Sequence, residues 1–235
     1  MRAFLSLRYT VPERRAAFEK GLQRLGYEVI HGLPAGEVDP SDVLCTWNRI
    51  GHVNEVAKKF TKVLVTENAT WGNELAGDHW YTIARNYHNT KGMFPVGDKT
   101  RWDSLRVKLA PWRKPGGETV VLPSRGIGSP PTVMPRGWTA PGRIRRHMGK
   151  QSEFVPLEAD LAHASKVVTW GSGAAVKALM WGIPVESHMP NWIFSQDNSE
   201  YGRLKAFRDA AWAQWRVSEI EKGLPFEWLL RQPQP

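Results

Sequence analysis

The stretch KVVTWGSGAAVKALMWGIPVES, Lys166 to Ser187, decides the fold. It opens on an apolar strand, passes through a turn of small residues, becomes a helix from about Gly173 to Trp181, and ends in a second strand at IPVES. Strand, helix and strand in this order make a βαβ unit, which calls for a parallel sheet. Two readings fit the turn Trp170–Gly171–Ser172–Gly173. It is a tight turn with a serine cap, or it is a cradle for an anion. In the second reading the first turn of the helix offers unpaired N–H groups and the positive end of its dipole. Glycines let a phosphate approach the backbone there. No Gly-Lys-Ser/Thr closes the segment as in a Walker loop, and the dinucleotide GxGxxG pattern is absent.

Upstream the same rhythm continues. Residues 3–9, 27–32, 41–47 and 62–68 read as strands, with helices opening at Pro12 and His52. From Ala69 to Gly117 the pattern weakens, apart from a strand at WYTIAR. PWRKPGGE (111–118) reads as a hinge. Strands at 118–124 and 142–147, a short helix at 156–164, and a long helix at about Tyr201–Glu221 complete the pattern. The expectation is an α/β chain of two compact domains with mostly parallel sheets. Residues 1–112 would form the first and 113–200 the second, with 201–235 as a C-terminal helical segment.

With 41% hydrophobic and 23% charged residues the composition is that of a folded globular chain. No apolar run approaches the ~20 residues of a membrane span, and the start of the chain lacks a signal-peptide pattern. A cytoplasmic location is the expectation. The single cysteine, Cys45, excludes an internal disulfide and a multi-cysteine metal site. A net charge of +9 favours anionic partners: nucleotides, nucleic acid or acidic glycans. The twelve tryptophans serve equally in cores and in stacking on sugars or bases.

Two further segments carry the chemistry of an anion site. In RIRRHMG, Arg143, Arg145 and His147 would share one strand face; they form a phosphate clamp or an exposed edge that resists pairing. In SRGIG, Arg125 follows a strand beside two glycines. The expected phosphate-binding set is Arg125, Arg145, His147, Ser172, Gly173 and Ala174. No cluster of carboxylates suits a divalent cation, so metal-independent chemistry without a cofactor is expected.

LEADLAHASKVVTWGSGAAVKALMWGIPVE resembles the nucleotide-binding half of GT-B glycosyltransferases, above all the capsule-polysaccharide-synthesis type. Asp160, Thr169, Ser172, Ala178, Gly182, Pro184 and Val185 carry the likeness. RIRRHMG resembles the family's basic K/R-x-H-P segment, with Met148 where proline is usual. More loosely, TWNR, TEN, PWR and AWAQW resemble glycosyltransferase-like proteins of bacteriophages and prophages. The specific likeness covers about Arg143 to Val185.

The resemblance implies two Rossmann-like domains across a cleft, with a nucleotide-sugar donor in the C-terminal one and the acceptor in the N-terminal one. It also implies a final helix packed over the junction; an ordinary core helix is the other reading of that segment. Double-stranded phage DNA with a hydroxymethylated base, or a cell-surface glycan, would be the acceptor. A nucleotide- or nucleic-acid-binding protein without turnover is the alternative. Glu67 and His88 are the candidate bases. Asn68, Trp71, Asn89 and Arg101 are the candidate acceptor contacts.

Overall fold

The computed structural model describes all residues except 8–11, 72–73, 76–77, 88–91, 125–132, 147–154 and 232–235, and at 74, 75 and 78 the backbone alone. Two units divide the chain: Met1–Leu105 with Arg208–Pro235, and Arg106–Phe207. The second unit therefore starts before the hinge-like segment. Residues 110–113 are strapped onto it. Ala110 N–H donates to Met180 O at 2.8 Å and Arg113 N–H to Gly182 O at 2.7 Å. The guanidinium of the buried Arg203 stacks on Trp112 at 3.9 Å. The start of the segment read as a hinge is thus hydrogen-bonded within the second unit.

In the first unit β1 (Arg2–Ser6), α1 (Pro12–Arg24), β2 (Glu28–His31), β3 (Val43–Trp47), α2 (Gly51–Ala57) and β4 (Lys62–Asn68) follow the expected alternation. Then come β5 (Glu74–Leu75), β6 (Asp78–Arg85) and α3 (Thr100–Leu105). The sheet order is β11-β6-β4-β3-β1-β2, with β5 beside β6. The four strands β2, β1, β3 and β4 are parallel; β6 and β11 run antiparallel to their neighbours. Phe18, Leu22, Cys45, Leu64 and Ile83 are buried in the core on one side of the sheet. Phe4, Leu44, Val56, Phe60 and Val65 form the core on the other.

The expected long C-terminal helix is not continuous. It is α6 (Glu200–Ala211), then β11 (Gln214–Arg216), α7 (Val217–Glu221) and α8 (Leu224–Leu230). The break is made by pairing: Trp215 lies opposite Tyr81, and β11 closes the edge of β6. The fully buried Gln214 side chain accepts from Thr70 N–H at 3.0 Å and Thr82 Oγ1 at 2.8 Å, and donates to Thr70 Oγ1 at 3.1 Å. Such a satisfied polar network fixes one arrangement of the strand.

At the start of β3 the buried Asp42 accepts Arg2 N–H at 3.0 Å, Asp39 N–H at 2.9 Å and the Arg2 guanidinium at 2.5 Å. The Arg2 bond is the main reason its carboxyl is held down to about 2. An ordinary aspartate titrates near ~3.9 when unfolded. The ionised form is thus favoured by folding; its contribution is whole above about pH 4 and is lost as pH falls towards 2. Asp42→Asn is expected to cost about 2 kcal/mol at pH 7. In thermal melts from pH 7 down to pH 2.5 the gap between wild type and variant should close on the acid side.

The second unit holds β7 (Glu118–Leu122), β8 (Arg143–Ile144), α4 (Leu157–Asp160), β9 (Ala164–Thr169), α5 (Gly173–Met180) and β10 (Val185–Ser187). Its sheet, β10-β9-β7-β8, is parallel throughout. Taken in chain order, its strands lie second, first, third, fourth, as the four parallel strands of the first unit do. The order reverses between β7 and β9, so α5 begins beside a topological switch point. The outer edge of β10 is closed by side chains: Asn198 Oδ1 accepts Val185 N–H at 2.9 Å, and Asn198 and Gln196 amides donate to Val185 O. This cap denies the edge to a further strand. Among the described residues no helix is long and apolar enough to cross a membrane.

Candidate functional site

The turn after β9 is built in three steps. Gly171 sits at φ +64°, and a Cβ there would lie 2.4 Å from Met189 Sδ. Only glycine lets the chain reverse so close to the 189–192 segment. Ser172 is extended (φ −65°, ψ 136°) and caps α5, its Oγ accepting Ala174 N–H at 3.3 Å. Beneath it, the buried Thr169 hydroxyl donates to Leu122 O at 2.8 Å and accepts Ser172 N–H at 2.9 Å. Thr169 thus ties the turn to the neighbouring strand β7 across the switch point.

Gly173 is different. It is exposed, and nothing stands within 4 Å of the place a Cβ would take. Among the described residues its N–H has no acceptor. The first turn of α5 carries no acidic side chain. The positive end of the helix is therefore uncompensated and open. Ser172 Oγ, Gly173 N–H and Ala174 N–H lie together at the start of α5, and the Ala174 N–H is held only by the long cap bond of 3.3 Å.

Charge adds to this. Residues 106–207 hold 14 Lys and Arg against 7 Asp and Glu, and the rest of the chain holds 18 against 16. The positive excess lies mostly in the unit that holds α5. The expected clamp, however, is already engaged. Arg143 reaches Glu118 at 2.7 Å and Asp160 at 2.8 Å, and Arg145 pairs with the same Asp160. Arg145 also donates to Val155 O at 3.1 Å. The Arg143 contact holds the Glu118 carboxyl below its usual range. Both arginines of the strand face thus converge on Asp160 of α4, and no contact joins Arg145 to Ser172. Arg125 and His147 lie outside the described residues, as do His88 and Asn89.

In the first unit Glu67 is half-buried on β4, in register with Thr82, and Asn68 follows it at the exposed end of the strand. Trp71 is buried, edge-on to Trp102 at 6.0 Å. Arg101 is fully occupied. It forks onto Glu219 at 3.1 and 3.0 Å, donates to Ala211 O at 2.8 Å and to Gln214 O, and stacks on Trp215 at 3.9 Å. It staples α3 to the β11–α7 segment. A groove of about 500 Å³ lined by Ala35, Gly36, Glu37, Val38 and Lys59 contains none of the candidate residues.

Sequence reasoning missed a cluster beside this turn. His188 N–H donates to Thr169 O at 2.9 Å, which sets its ring next to the carboxyl end of β9. Trp138, from the segment between β7 and β8, donates Nε1–H to His188 Nδ1 at 3.2 Å and lies edge-on to Trp170, centroids 6.0 Å apart. His188 Nε2 meets Glu186 Oε1 at 2.9 Å, and Lys166 holds Glu186 at 2.6 Å. Glu186 and His188, two residues apart, were the only signal: alternate positions share a strand face. Nothing in the sequence pointed to Trp138. Among the described residues no group of three or more His, Cys, Asp or Glu is placed to hold a metal ion.

The class of protein these features define is an α/β chain with one mixed and one all-parallel sheet, presenting an open helix end at the strand-order reversal of the second. No family model, curated protein or solved structure matches it.

Proposed function

We propose that the chain is a glycosyltransferase that takes its sugar from a nucleotide-sugar donor, with the donor's phosphate seated on Ser172, Gly173 and Ala174. The supporting observation is the open Gly173 N–H at the start of α5. In open parallel sheets ligands bind beyond the carboxyl ends of the strands, where the order reverses. The order second, first, third, fourth in both units is that of an open doubly wound sheet with such a reversal; a GT-B-type pair of domains is what the Lys166–Ser187 resemblance implies. As the bond from the anomeric carbon to the phosphate oxygen breaks, negative charge grows on the leaving group. Preorganised N–H donors at a helix end favour that charge without reorganising. The acceptor hydroxyl must also lose a proton. Of the two candidate bases, Glu67 is the one among the described residues, in the first unit, which we assign to the acceptor.

The test is thermal stabilisation by UDP-, GDP-, CMP- and ADP-linked sugars, with donor cleavage followed in parallel. Hydroxymethylated DNA and a surface glycan are then offered as acceptors. One donor class should raise the melting temperature and be cleaved; saturation to about 100 times Kd corresponds to about 2.7 kcal/mol. Stabilisation without cleavage favours a nucleotide-binding protein. No stabilisation by any nucleotide sugar overturns the reading.

A further inference from the structure

The Trp138–His188–Glu186 chain fixes the protonation of its own ring. An indole nitrogen only donates. Trp138 Nε1, 3.2 Å from His188 Nδ1, therefore requires a lone pair on Nδ1. The ring proton is then on Nε2, where it donates to Glu186 Oε1 at 2.9 Å. With both nitrogens so used, the contact exists only with neutral imidazole. A second proton would set Nδ1–H against Nε1–H. The ring would stay tethered on its Nε2 side to Glu186, and the indole would be released.

We propose that His188 is a protonation-controlled latch holding the segment around Trp138 against the face of the second unit's sheet. Trp138 caps the small cluster of Val121, Ala140 and Val168 on that face. The ring of Trp170 is its edge-on neighbour, one residue before Gly171. His188 itself hydrogen-bonds Thr169, and the following Met189 fills the space above Gly171. Opening the latch thus uncovers the side of the turn that leads into α5. Among the described residues the charged groups facing the ring are Glu186 on β10 and Lys166 on β9, which is paired to Glu186. Among residues 133–142 the only titratable side chain is Arg136, which is exposed. Glu186 stays ionised through the range concerned, its carboxyl lowered first by Lys166 and then by His188. Imidazole is the side chain whose charge changes between about pH 5 and 8. The latch is closed while the ring is neutral and opens when Nδ1 takes a proton. It stands independently of the transfer reading.

The test is the indole N–H spectrum of the full chain labelled with ¹⁵N-tryptophan, without ligand, at pH 8 and pH 5. Trp138→Phe identifies the Trp138 resonance by its disappearance. In wild type that resonance should shift, and lose its protection from solvent exchange, on going to pH 5. His188→Asn leaves an amide that does not titrate, and there the pH response should vanish, whichever position the resonance takes. A wild-type Trp138 signal unchanged between the two pH values overturns the latch. So does a response of the same size in His188→Asn.

Discussion

Gly182→Ala should cost about 2–5 kcal/mol, a large loss for one added methyl group. Gly182 turns the chain from α5 into β10 at φ +73°, where a Cβ would fall 1.9 Å from Pro111 O. The left-handed conformation alone costs a residue with a Cβ about 1–2 kcal/mol. The obstacle is a backbone carbonyl, fixed because Ala110 N–H and Arg113 N–H are bonded to Met180 O and Gly182 O. Overpacking of that kind adds about 1–3 kcal/mol. Gly26→Ala is the control. Gly26 has φ +83° with nothing within 4 Å of its Cβ position, so only the conformational cost applies. Denaturant unfolding of the two variants should differ by about 2 kcal/mol. Equal losses would mean that the strap of residues 110–113 yields. On this account Gly182 of the family-like Gly-Ile-Pro-Val segment shapes the turn and does not touch the ligand.

Gly173→Glu should separate stability from binding, with opposite signs. A Cβ at the first position of α5 meets nothing within 4 Å, and the first turn lacks any acidic side chain. It should stabilise the helix by about 0.3–1 kcal/mol, and replacing a helical glycine adds to that. Melting temperature should hold or rise slightly. The same carboxylate would stand at the proposed seat of the donor phosphate. Like charges a few ångströms apart near a protein surface repel by ~2 kcal/mol or more, about thirty-fold in affinity. A structural role for the turn predicts the first effect without the second.

Much of the fold is legible in local pattern because its signals are local. Pro12 opens α1 and Gly26 closes it; β4 occupies 62–68 as its alternation of Val63, Leu64 and Val65 with polar ends suggests. The Ser172 cap follows from a small polar residue before an apolar helix. Where local pattern misleads, distant partners decide. Leu204, Phe207, Ala211, Trp215 and Ile220 carry helical spacing, yet Gln214 is drawn out of it by Thr70 and Thr82, far away in sequence. The arginines show the same limit. Arg101 and Arg145 have the chemistry of ligand contacts, and each is bound to a carboxylate of its own unit, Glu219 and Asp160. A sequence shows a guanidinium; it does not show what neutralises it. The link from His188 to Trp138 was invisible for the complementary reason, since the two lie fifty residues apart with no pattern to join them.

In the proposed reaction the amino end of α5 receives the leaving phosphate of an activated sugar. Calorimetric titration of the stabilising nucleotide sugar into wild type and Gly173→Glu, side by side at one ionic strength, tests it most directly. Saturable binding to wild type is expected, with a loss of about thirty-fold or more in the folded variant. Equal affinity for both proteins would contradict it and place the donor elsewhere.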